Sequence, residues 1–161
     1  MTTCFPCLSV AFGFLMLVVQ PAMSEVSVDQ VKTCLSERMS TGQSPATCID
    51  DAQSECLAVD NEAPAVATLC FVDAEKDWNG GISSLMAHIS KVATDEIAAI
   101  AGIEAKYDLL SALLQCSRME ELSLAVGRDN EPAILRQNAR CKANAAGLTF
   151  ARLYLRSQDL R

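Results

Sequence analysis

The chain has 161 residues, with 20 acidic against 13 basic side chains, a formal net charge of −7 and a pI near 4.6. That balance excludes a phosphate-reading surface, so no nucleic-acid partner is expected, and it suits either a cationic protein partner or simple solubility. His88 is the single histidine, which removes paired-histidine metal sites and a histidine acid–base pair. No catalytic residue, metal site or cofactor is expected, and His88 reads as a structural or surface residue.

Residues 1–24 contain no Asp, Glu, Lys, Arg or His. Their apolar run, Leu8 to Val19, is shorter than the roughly 18 residues a membrane span needs and matches the core of an export signal. Gln20 and Pro21 end the run, and Ala22 and Ser24 place small side chains ahead of a cut that leaves Glu25 as the new N-terminus. Residues 1–24 therefore read as a signal peptide and residues 25–161 as one domain, exported to a periplasmic or secreted location. The lack of Lys or Arg ahead of the run keeps an uncleaved anchor or a misplaced start Met as the alternatives. Cys4 and Cys7 form a C-x-x-C, but they precede the apolar run and leave with the signal. No cysteine follows the run at the cut, so no lipid anchor and no stable membrane insertion are expected after cleavage.

From there helical spacing recurs and strand alternation does not. Ser27 and Gln30 form a capping-box pattern around a first helix with Val28, Val31, Leu35 and Met39, ended by Gly42. Ser44-Pro45 supplies an N-cap and a first-turn proline for a second helix, which carries Ile49, Ala52, Cys56 and Val59 on one side. Asn61 to Pro64 repeats that start. The third helix runs through Val66, Leu69, Cys70 and Trp78, crosses Gly80-Gly81, and resumes with Ile82, Leu85, Met86, Ile89 and Val92. Each glycine costs about 1 kcal/mol relative to alanine in a helix interior, so this is one helix with a weak point. Trp78, at helical spacing from its apolar neighbours, reads as core in preference to a partner anchor.

In the fourth helix Ile100, Ile103, Tyr107, Leu110 and Leu114 repeat at alternating spacings of 3 and 4 residues. Leu109, Leu113 and Cys116 broaden the stripe, and Val126-Gly127 supplies the stop. Pro132 opens the last helix, where Ile134, Cys141, Leu148 and Leu155 recur every seven residues with Ala145 and Ala151 between them. With helices of similar length beside it, packing within the chain is the expected use of that recurrence, ahead of a coiled-coil partner. The expected fold is all-α, a small antiparallel bundle of about five helices stapled by disulfides.

Outside the signal, Cys34, Cys48, Cys56, Cys70, Cys116 and Cys141 fall at the edges of these segments, as suits disulfides formed in an oxidising compartment. Cys48 and Cys56 lie on one helix at about 12 Å by rise, too far apart for a bond. Among the remaining pairings the simplest links nearest neighbours: Cys34 with Cys48, Cys56 with Cys70, and Cys116 with Cys141. Each bridge would then clamp one helix pair, worth roughly 3 kcal/mol in the chain-entropy model.

The six-cysteine order, with Cys48-Ile49, Glu75, Trp78-Asn79 and the ending Thr149, Arg152 and Leu155, resembles the small secreted proteins grouped with the LprI-type lysozyme inhibitors. The resemblance covers about residues 31–158. Ile82-Ser83-x-x-Met86 stands where that family usually has Leu-Asn-x-x-Tyr, and the family's usual Gln, Trp and Arg-Asp set before the fifth Cys is missing, with Tyr107 the only nearby aromatic. The resemblance implies a non-catalytic binding protein that occludes lysozyme or another cationic envelope protein. A cell-envelope structural or interaction module without lysozyme inhibition is the alternative. Asp50, Asp51 and Glu55 are the candidate partner-binding residues, although with Asp60 and Glu62 they also read as a solvated helix face.

Overall fold

In the computed structural model, residues 25–127 and 130–160 are described. The expected signal peptide, its cut site on the Ser24 side and the Cys4-Cys7 pair lie outside them. The described residues form six α-helices and no strand: α1 (Val28–Ser40), α2 (Ala46–Ala52), α3 (Ser54–Ala58), α4 (Pro64–Val92), α5 (Asp95–Val126) and α6 (Glu131–Ser157), followed by a 3-10 turn at Gln158–Leu160.

Helix α6 is the axis of the molecule, packed against both α4 and α5, whose contact with each other is slight. Its buried line is Ala139, Ala143, Ala146, Phe150 and Leu153, mostly small residues that let neighbouring backbones approach closely. Positions along α5 fall as those along α6 rise: Glu120 meets Asn138, Cys116 meets Cys141, Asp108 meets Arg152 and Glu104 meets Arg156. The two helices are therefore antiparallel. Along α4 the sense is the same as along α6, since Arg136 bonds Asn61 just before α4 while the Phe150 ring lies 5.6 Å from that of Trp78. The result is an up-down-up trio with α1 to α3 laid against α4 and α6. Trp78, Phe71, Phe150, Leu35, Ile49 and Ile89 are the largest buried side chains, so the core lies where α1, α2, α4 and α6 converge.

The chain stops and starts for local reasons. Gly42 and Gly127 adopt left-handed φ of 67° and 63° at the ends of α1 and α5, a region most side chains avoid. Thr94 and Asn130 cap α5 and α6 by accepting from the Ile97 and Ala133 N–H groups. Pro64 and Pro132 sit in the first turns of α4 and α6, where a missing N–H is harmless.

Several expectations change. Ser27 is the N-cap residue of α1, but its side chain makes no capping bond; the segment is held instead by the Val26 N–H donating to Asp77 Oδ2 at 3.0 Å. The second helix does not continue to Val59. It breaks at Gln53, whose φ of −109° and ψ of 14° leave the helical region, and whose buried amide donates to Ile49 O and Asn144 Oδ1. The break separates Cys48, bonded to Cys34 on α1, from Cys56, bonded to Cys70 on α4. With Cys116–Cys141 joining α5 and α6, the three bridges link nearest neighbours.

Helix α4 passes through Gly80-Gly81 unbroken. A Cβ on Gly81 would lie 3.2 Å from the Phe150 ring and 3.3 Å from Val28, so this residue lets α6 and α1 approach; Gly80 faces open space. Met39, Val66, Leu69 and Val92 are exposed, and Ala67, Phe71 and Ala74 take the inward places on the first half of α4. In α6 the seven-residue recurrence is not the buried line, because Cys141, Leu148 and Leu155 are only partly covered.

Candidate functional site

Two surface features stand out, an acidic cleft beside α1 and an apolar face along α5. The cleft opens between α1 and the α2–α3 pair, which the Cys34–Cys48 bridge holds at a Cα separation of 5.9 Å. It is an open groove of about 520 Å³, and its walls include Glu25, Gln30, Val31, Asp51, Ala52 and Glu55. The lining combines three carboxylates with a floor of Val31, Ala52 and the disulfide, and among the described residues it contains no Lys, Arg or His.

Asp51 and Glu55 stand on either side of the break at Gln53, and both line the cleft. Asp50, Asp51 and Glu55 are all exposed, but Asp50 does not line the cleft. Asp51 pairs loosely with Arg38, whose Nη2 is 4.0 Å from Oδ2, and the same guanidinium also donates to Gln43. Glu25 and Gln30 complete the walls, a contribution sequence spacing alone did not select. Asp60 and Glu62 stay in the α3–α4 connection, where Asp60 Oδ1 accepts the Glu62 N–H, and they take no part in the cleft.

Trp78 is fully buried against Phe150 and is core, not an anchor for a partner. His88 is exposed on α4. Among the described residues no group of three or more His, Cys, Asp or Glu side chains is placed to hold a metal ion, and no helix is long and apolar enough to cross a membrane.

The second feature reverses an expectation. The stripe Ile100, Ile103, Tyr107, Leu110 and Leu114 lies on the outside of α5, with exposures from 50% at Ile100 to 67% at Tyr107. The inward face of α5 is built from Ala98, Ala101, Ala105 and Leu109, with Cys116 beyond them. Two ion pairs, Arg152 with Asp108 at 2.8 Å and Arg156 with Glu104, hold that face on α6.

No family model matches the chain, and neither a curated protein nor a solved structure matches it. The likeness to LprI-type inhibitors thus stands on the cysteine order and the motifs around Trp78 and Arg152 alone.

Proposed function

We propose that the chain is an exported, non-catalytic binding protein that receives a cationic segment of a partner protein in the acidic cleft between α1 and α3. The observation that carries this reading is the cleft wall itself, which sets Glu25, Asp51 and Glu55 around an apolar floor with no Lys, Arg or His side chain among its lining residues. Carboxylates of one sign around a concave, partly apolar surface concentrate the field of a molecule that is already at −7. Such a surface accelerates encounter with a basic partner, and the apolar floor gives an inserted lysine or arginine stem something to cover.

Three disulfides in one chain fit an oxidising compartment, in agreement with export. A basic lysozyme is the first partner to test, because the resemblance in the cysteine order points there. Titrating the exported protein into several lysozymes, with binding and lytic activity read together, tests the proposal. Binding with loss of lysis at stoichiometric protein is the expected result. Binding without loss of lysis favours the second reading, a cell-envelope interaction module.

A further inference from the structure

Helix α5 has two apolar faces, and α6 uses only one of them. At 100° per residue, the stripe from Ile100 to Leu114 lies about 180° from the Ala98, Ala101 and Ala105 face that packs inward. Its spacing is that of the a and d positions of a coiled coil, sustained over two heptads, and the next two such positions are Ser117 and Glu121. The seam therefore ends within the helix. Half-exposed Ile, Leu and Tyr side chains each leave on the order of 100 Å² in water. Together the five present about 500 Å², at the upper end of what the largest patch on an ordinary monomer reaches.

We propose that this face of α5 is the self-association surface of the chain, joining two copies through a two-fold antiparallel pairing of α5 with α5. Three observations select a second copy as the occupant. The first is size: covering the stripe on both copies removes about 1,000 Å², and with its polar flanks the contact reaches the roughly 1,200 Å² at which specific interfaces begin. The second is self-complementarity. An isologous contact sets the same patch on both subunits, and a run of aliphatic side chains at alternating spacings of three and four interleaves with its own antiparallel image.

The third is charge. Glu104 and Asp108, on the side toward α6, are each paired with an arginine of that helix, and the exposed carboxylates at the two ends of the seam line, Glu96 and Glu121, are offset by Lys106 and Arg118 on the same outward side of α5. On a molecule at −7 this border is locally balanced, so two copies meet here without the repulsion that their acidic sides impose. A cationic partner has no electrostatic reason to choose it. Nor does an anionic lipid surface, which recruits amphipathic helices through Lys and Arg on the polar face. The pairing leaves the acidic cleft outside the α5 contact, so this proposal and the cleft reading stand or fall separately.

The test uses protein expressed with its own leader, recovered from the exported fraction and sized by sedimentation equilibrium over a wide concentration range. The weight-average mass is expected to rise from one chain toward two with concentration. Leu110→Glu and Tyr107→Glu, each on the seam, are expected to hold the mass at one chain; circular dichroism and melting establish that at least one of them is folded. Leu122→Glu, exposed on α5 but off the seam, is expected to leave association unchanged. A monomer at every concentration overturns the proposal, as does a dimer indifferent to both folded seam variants. Binding of the monomer to phosphatidylglycerol vesicles, abolished by Leu110→Glu, overturns it by assigning the face to lipid.

Discussion

At the scale of single residues the glycines separate propensity from packing. A Cβ on Gly147 would stand 2.6 Å from Ile49 Cγ2 and 3.1 Å from Trp78 Cε2, inside the core. Gly147→Ala is expected to destabilise the fold by about 1–3 kcal/mol, the range for overpacking a filled interior, read as a lowered melting temperature. Gly80 faces nothing within 4 Å on the exposed side of α4, so Gly80→Ala is expected to stabilise by roughly 0.5–1 kcal/mol through helix propensity alone. A result in which both changes act in the same direction contradicts this assignment of the two sites. That one helix runs through Gly80-Gly81 was legible, but which glycine touches a neighbour was not, because the contacts come from Phe150 and Val28 elsewhere in the chain.

At the scale of elements, periodicity and end signals revealed most helices, and the third dimension decided how they face. Pro64, Pro132 and Gly127 mark real boundaries, since they act through local backbone chemistry. The orientation of α5 was not legible. A stripe of large apolar residues announces that a face exists, yet α5 carries a second face of alanines on its opposite side, and it is the Cys116–Cys141 bridge and the pairs of Asp108 with Arg152 and Glu104 with Arg156 that turn the alanine face onto α6. The break at Gln53 was equally hidden, because it depends on a bond to Asn144 on α6. The bridges give a test at this scale. Replacing Cys56 and Cys70 together by serine opens a loop with a separation of 14 residues and is expected to cost roughly 3 kcal/mol by chain entropy. Replacing Cys116 and Cys141 opens one of 25 residues and is expected to cost about 3.5 kcal/mol, both measured by denaturant unfolding. The Arg152–Asp108 pair is partly solvated on both sides, so Arg152→Ala is expected to cost no more than about 1 kcal/mol.

At the scale of the whole molecule the surface is divided. Glu25, Asp51 and Glu55 gather on the α1–α3 side, while the border of the α5 stripe is neutralised by two arginines of α6. The carboxylate cluster was legible in outline, since Asp50, Asp51 and Glu55 lie close in sequence. Its geometry was not, because Asp50 falls outside the cleft and Glu25 enters it from a segment tied to Asp77 on α4. Neutralising Asp50, Asp51 and Glu55 together is expected to slow association with a basic partner several-fold while leaving the melting temperature nearly unchanged, as befits exposed side chains. Within that triple change, Asp50→Asn alone is expected to contribute little.

The most direct measurement is the association rate of residues 25–161 with a basic lysozyme as ionic strength rises, compared with an Asp51→Asn, Glu55→Gln double variant. Between 0.1 M and 1 M salt the screening length falls from about 10 Å to about 3 Å, and the native protein is expected to lose most of its association rate while the double variant starts slow and changes little. A native protein that binds tightly at a rate indifferent to salt and to both substitutions, or that binds no cationic protein at all, contradicts the acidic-cleft account.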